Sequence, residues 1–396
     1  MRNVTGAVAQ GKDFFNRINE MATFWRDLET DNLLLLAPRL VGKTSLMRKM
    51  AEDASDHGFY PVFVDVSDCS DEMRFVQRLY AAILENDPGD LLWNHIKDSW
   101  LGKTIGRVQK VGGAGFSLEF KATDTGWARL GEELADALSK LDCRWLIQID
   151  ELPVFVLKLL DHDDSAQRIR VREFLYWLRR LRLEFGDVRW LLAGSIGLDT
   201  VTTRLNMADS INDLRIETLG AFDAATAEAL IVALASEYHK DLGETVRRYI
   251  VTRTGWPAPF YLQLIFHELR DIEGPIANTD VDRAIEDLLG PHHRNYFDYW
   301  RQRLFEELGR PEADSATTLL NMACRAPEGV TRIALSHALA SAIGEPEARE
   351  EKLRYLLDIL HNDGYLVEEH RRWRFRSPLL REYWLRRVAP PEELHD

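Results

Sequence analysis

Residues 32–50 read Asn32-Leu33-Leu34-Leu35-Leu36-Ala37-Pro38-Arg39-Leu40-Val41-Gly42-Lys43-Thr44-Ser45-Leu46-Met47-Arg48-Lys49-Met50. The leucine run is short enough to be a buried strand, and the residues from Thr44 to Ala54 read as a helix. The loop between them ends Gly42-Lys43-Thr44, the grammar of a phosphate-binding loop. In such a loop the backbone N–H groups and the positive end of the following helix surround a phosphate. Gly42 lets the main chain approach closely, Lys43 brings a mobile cation to the β- and γ-phosphates, and Thr44 holds Mg²⁺. The full spacing is met with one exception, Ala37 in place of the first glycine. The competing reading is a solvated loop with a surface lysine.

A second stretch supports the first. Cys143-Arg144-Trp145-Leu146-Ile147-Gln148-Ile149-Asp150-Glu151 is a near-continuous apolar strand that ends in two acids. Apolar residues throughout imply burial on both faces of a parallel sheet, with the acids at the carboxyl edge where such sheets bind ligands. There Asp150 belongs to the Mg²⁺ shell and Glu151 polarises an attacking water. A third apolar run, Val188 to Gly194, ends at Ser195. That residue stands where a γ-phosphate sensor belongs, or else it caps the short segment after Gly197. Phe59 to Asp65 and Leu214 to Leu219 read as two more strands. Helices are expected from Asp13 through Leu28, from Asp71 to Glu85, from Trp127 to Leu141 and from Ser165 to Phe185. The fold class is therefore α/β.

Composition sets the frame. The chain has 396 residues, 45% of them hydrophobic, with 11 Trp and 17 Phe, enough for two or three domains with real cores. A formal net charge of −14 argues against a protein that coats nucleic acid non-specifically, although a local basic patch can still bind it. Cys69, Cys143 and Cys324 lie far apart without C-x-x-C spacing, so no disulfide framework or zinc cluster is indicated and a reducing cytoplasm fits. No apolar run reaches the about 18 residues of a membrane helix, and residues 1–15 lack the apolar core of a signal peptide. Residues 1–12 are polar and expected to fray.

The organisation changes along the chain. Residues 1–220 carry the strands, with 86–126 as an insertion in which Val111 to Ala122 reads as a hairpin around a glycine-rich turn. Residues 221–290 carry helices only, broken at Thr254-Gly255-Trp256-Pro257. Residues 291–396 begin with a long helix and continue with three shorter ones. A ribbon then follows, from Gly364 through Glu369 to Arg372 and Phe375, and three helices before a two-stranded ribbon make a winged helix. Arg371, Arg372, Arg374 and Arg376 alternate with Trp373 and Phe375 along the ribbon, so the arginines are expected on its wet side, facing DNA phosphates or an acidic protein.

Taken together these residues resemble the archaeal-type ATPases of the STAND class, relatives of the AAA+ and origin-recognition ATPases, over nearly the whole chain. Phe14-Phe15-Asn16-Arg17-Ile18-Asn19-Glu20 is similar to the family's opening motif, with Asn16 in its glycine position. Ala37 to Leu46 is similar to its Gly-Pro-Arg-Arg form of the P-loop. Ile149-Asp150-Glu151 matches the Walker B end, Gly194-Ser195 the sensor, and Thr254-Gly255-Trp256-Pro257 the Gly-Gly-x-Pro motif of the helical lid. The departures are Asn16, Ala37, Leu40 and Thr254. The resemblance implies ATP or ADP bound by Arg17, Pro257 and the loop residues Ala37, Pro38, Arg39, Leu40, Val41, Gly42, Lys43, Thr44 and Ser45. It also implies an arginine finger supplied to a neighbouring protomer, for which Arg204 fits the placement and Arg215 is the rival. The function it implies is a nucleotide-dependent switch that assembles or changes partner. A DNA-acting ATPase, a defence or stress sensor with a protein partner, and a protein that keeps nucleotide as a structural ligand are the alternatives.

Overall fold

The computed structural model describes residues 1–87, 90–105, 126–160, 165–194 and 197–391. Ser195 and the glycine-rich stretch 111–122 lie outside the described residues. The contacts separate two units, one made of Arg17–Leu36 and Leu46–Thr218, the other of Met1–Asn16, Ala37–Ser45 and the chain from Leu219 onward.

The first unit is built on five parallel strands: β1 (Asn32–Leu36), β2 (Phe59–Asp65), β3 (Arg144–Asp150), β4 (Val188–Gly194) and β5 (Leu214–Thr218), in the order β2-β3-β4-β1-β5. Their sequences explain the burial. In β3 every residue after Arg144 is buried, and β4 is nearly as closed, because helices cover both faces of a parallel sheet. Along one face Trp145, Ile147, Ile149, Trp190 and Leu192 join a single core with aromatic side chains of the surrounding helices. Those helices are α3 (Glu72–Glu85), α6 (Trp127–Ser139), α7 (Leu152–Leu159) and α8 (Ser165–Glu184). Between α3 and α6 lie two short helices, α4 (Leu91–Ile96) and α5 (Trp100–Ile105), whose Leu92, Ile96 and Leu101 enter the same core. Earlier come α1 (Ile18–Leu28) and α2 (Lys43–Asp53), and β4 is followed by α9 (Leu198–Arg204).

The registers pair Leu33 with Leu191, and Gln148 with Leu191 on the other side of β4. All strands therefore run the same way and all carboxyl ends meet one edge. β1 lies between β4 and β5, so its exit is central to that edge.

In the second unit four helices follow in close succession: α10 (Ala224–Glu237), α11 (Glu244–Thr254), α12 (Pro259–Leu269) and α13 (Asn278–Leu288). Asp223 caps α10 by accepting from the N–H of Thr226, the expected role of an acid before a helix. The rest is α14 (Asn295–Leu308), α15 (Glu312–Arg325), β6 (Val330–Thr331), α16 (Arg332–Ala338), α17 (Pro346–Asn362), β7 (Leu366–Glu369), β8 (Arg372–Phe375) and α18 (Pro378–Arg387). β8 pairs antiparallel with both β7 and β6. β7 and β8 are joined by His370-Arg371, both with positive φ (51° and 63°), as a two-residue hairpin of the primed type requires.

Three expectations change. The helix expected from Asp13 starts at Ile18, because Asn16 and Arg17 take left-handed backbone (φ 59° and 72°) that a helix cannot hold. The first residues are tied down rather than frayed: Asn3 and Val4 bond to Gln263 on α12, and Asn3 N–H also donates to Tyr238. Helix α7 begins directly after Glu151, where the sequence reading placed nothing, with Pro153 in its first turn where no N–H is needed.

The sheet core sets the stability of its unit. Leu192 is fully buried in β4 between two paired strands. Replacing it by alanine should lower unfolding stability by about 2–5 kcal/mol in urea titrations. An effect below about 1 kcal/mol would contradict the packing described.

Candidate functional site

The loop 37–42 leaves β1 at the central exit of the sheet edge and turns into α2 at Lys43. Two of its residues have left-handed backbone, Leu40 (φ 68°) and Gly42 (φ 92°). Alternating left- and right-handed residues turn successive N–H groups toward one point and create an anion-binding concavity. At Gly42 no atom would obstruct a β-carbon, so glycine is needed there for its backbone angle alone. Leu40 holds the same region without that freedom, and a non-glycine residue so placed marks a segment whose shape is fixed by function or by packing. Ala37 is buried and is not among the residues of positive φ, which explains why alanine stands there without strain. Lys43 is buried at the first position of α2, and the Ser45 hydroxyl accepts from the N–H of Ala9.

In the sheet unit, Asp150 is buried at the last position of β3, and its Oδ1 accepts from the N–H of Glu151 at 3.0 Å. Glu151 has φ 60°, an αL residue at the turn from strand to helix. Its carboxylate is half-buried. Arg204 is half-buried at the end of α9. Its rival Arg215 is held by carboxylates, with Asp27 at 2.9 Å and Glu217 at 3.3 Å. Arg17 is buried and pairs with Glu20 at 2.8 Å, and burial lowers its pKa. Asp199, one residue into α9 and after the β4 edge, is pushed above the usual carboxylate range by burial. Sequence reading passed over it, and an acid just beyond an apolar strand was the available signal.

In the other unit Thr254-Gly255-Trp256-Pro257 is a tight turn. Thr254 is fully buried with its hydroxyl on the carbonyl of Ile250, and the Pro257 carbonyl accepts from the N–H of Phe222. The N-terminal segment, anchored on α12 as described, walls an open cavity of about 720 Å³ lined by Arg2, Asn3, Thr5, Gly6, Val8 and Gln10. The Arg2 guanidinium holds the Asp13 carboxyl below its usual range and fixes the end of that wall.

The ribbon arginines do not act as one row. Arg371 is exposed at the hairpin tip, and Arg372 donates to the carbonyl of Gly329. Arg374 is bonded to Glu369 at 2.7 Å. Arg376 turns inward: it donates to the carbonyl of His361, lies 5.8 Å from the centre of the Trp256 ring, and burial lowers its pKa. The alternation of Trp373 and Phe375 is present, both buried, but a partner at the wet face would meet Arg371 and Arg372 rather than four free cations.

The whole chain is similar in structure to the Walker-type ATPase PABY2304 of Pyrococcus abyssi, with a TM-score of 0.64 and 19% identity over 98% of this chain and 100% of that one. The chain has the fold of a Walker-type ATPase. It is also similar to the ORC2 protein of Aeropyrum pernix in a structure with ADPNP and ADP, with a TM-score of 0.54 and 13% identity over 95% of each chain. No family model and no curated protein sequence matches the chain.

If the loop is the phosphate site, Lys43→Ala should fold normally and lose nucleotide affinity about 100-fold or more, as a charged hydrogen-bond partner is removed. Fluorescent-nucleotide titration measures this. Unchanged affinity would remove the loop from the site.

Proposed function

We propose that the protein binds ATP with Mg²⁺ and hydrolyses it as a slow molecular switch of the STAND and AAA+ kind. The observation that carries this reading is the loop itself, a buried lysine that opens α2 directly after left-handed Gly42, with Leu40 left-handed two residues earlier, at the exit of a central parallel strand. The backbone N–H groups from Leu40 to Thr44 take the phosphates, and Lys43 neutralises them. Thr44 and Asp150 are the residues that would hold Mg²⁺, which supplies charge neutralisation at the phosphate oxygens. The donor set fits: a hydroxyl beside the loop lysine and a carboxylate buried at the end of an apolar strand. Glu151 orients and polarises the water, and the half-buried Arg204 supplies positive charge to a neighbouring copy.

The C-terminal block, with its order of helix, strand, two helices and ribbon, fits a winged helix. Its third helix, α17, presents exposed Glu347, Glu350 and Glu351 in its first turns. A helix that enters a DNA groove would bring those carboxylates to phosphates, so we take the output as assembly or a protein partner rather than duplex DNA.

Turnover measured across protein concentrations, with and without duplex DNA, tests this. The expected result is a specific rate that rises with concentration and ignores DNA. Glu151→Gln should bind ATP and lose turnover at least about 100-fold, the scale of a lost general base. Arg204→Ala should flatten the concentration dependence. A rate stimulated by DNA would instead make the chain a DNA-acting ATPase, and wild-type turnover in Glu151→Gln would remove that residue from the reaction.

A further inference from the structure

The loop that carries Lys43 is gripped by the C-terminal block. α17 ends at Asn362, and the turn Asp363-Gly364 that follows lies on Pro38 and Arg39. The N–H of Arg39 donates to the carbonyl of Asp363 at 3.3 Å, and the Arg39 guanidinium stands 3.5 Å from the Asp363 carboxylate. The two side chains are only 5% and 3% exposed. A β-carbon on Gly364 would lie 3.0 Å from that of Pro38 and 3.5 Å from the Trp256 ring, and φ is 92°. Only glycine allows this approach at this backbone angle.

The turn is braced from behind. Tyr365 donates from its hydroxyl to the carbonyl of Trp300 at 2.6 Å and accepts at its own carbonyl from the N–H of Arg376. Arg376 reaches over Trp256, and Pro378 packs on Gly255 so closely that a β-carbon there would lie 2.5 Å from the ring. Residues of the loop and of the turn 254–257 thus both lie against the C-terminal block.

The phosphate-binding pattern leaves its third position open, so nothing in phosphate chemistry requires an arginine at Arg39. Two charges withdrawn from water gain little over an apolar contact of the same size, whereas removing one of them is strongly destabilising. The best-attested use of such a pair is to fix a register or a switch. Here it joins a ligand-binding loop to a block more than three hundred residues away in sequence.

We propose that the Asp363-Gly364 turn is a latch on the phosphate-binding loop. With Arg39 and Asp363 paired, the loop and the C-terminal block are held together and nucleotide leaves slowly. When the pair opens, the block is released and the loop loosens its hold. Coupling of this kind is reciprocal, so a change at either end is felt at the other. The nucleotide half of the proposal rests on the reading of the chain as an ATP-binding switch, while the pairing itself does not.

Two readouts on the full chain separate those halves. Amide hydrogen exchange at Arg39, without nucleotide, reports the latch directly. The release rate of fluorescent ADP reports its consequence. In Asp363→Asn, which keeps the shape and removes the charge, the Arg39 amide should exchange about tenfold faster or more, and ADP should leave about tenfold faster or more, the scale of one charged hydrogen bond. Gly364→Ala, which wedges the turn against Pro38 without removing a charge, should do the same and serves if the first variant fails to fold. Unchanged Arg39 exchange in the folded variants overturns the latch. Faster exchange with an unaltered ADP release rate overturns the coupling. A wild-type chain that binds no nucleotide, with the Arg39 amide still responding to Asp363→Asn, sinks the ATPase reading and leaves the latch standing.

Discussion

A strand paired on both sides in a parallel sheet delivers its chain to one place. β1 lies between β4 and β5, and its register with each fixes where Leu36 ends and where the next residues must turn. The turn is made with left-handed backbone at Leu40 and Gly42, and a helix begins at once at Lys43. The shape of the loop therefore follows from strand order, one permissive glycine and one constrained leucine. The acids at the end of β3 reach the same edge of the sheet for the same reason, since every strand is parallel.

Much of this was legible in the residues. Continuous apolar runs announced buried parallel strands, and β2 runs over the residues expected, Phe59 to Asp65. Two residues that depart from the pattern the sequence resembles also acquire physical reasons. Asn16 takes the left-handed angle that a glycine would have taken, and asparagine tolerates that angle better than most residues. Ala37 sits where no such angle is needed.

What was not legible depended on long-range contacts that no periodicity encodes. The N-terminal segment is polar and reads as loose, yet it is held by the side chain and carbonyl of Gln263. The alternating arginines of the ribbon read as one wet face, but Glu369 binds Arg374, and Arg376 turns toward His361 and Trp256. Arg39 read as a loop residue facing phosphate. Its partner Asp363 could be found only once the chain was folded, because two charges pair across hundreds of residues without leaving a local pattern. Charge patterning in sequence shows which groups are present, and packing decides which of them remain available.

Residues 37–45 are proposed to form a phosphate-binding site for a magnesium-bound nucleoside triphosphate. Calorimetric titration of the wild-type chain with ATP, repeated with Mg²⁺ chelated, tests it most directly. One site per chain is expected, with the heat of binding altered and the affinity weakened when the metal is withdrawn. No binding at millimolar ATP in the presence of Mg²⁺, from a chain that is folded by circular dichroism, would contradict it.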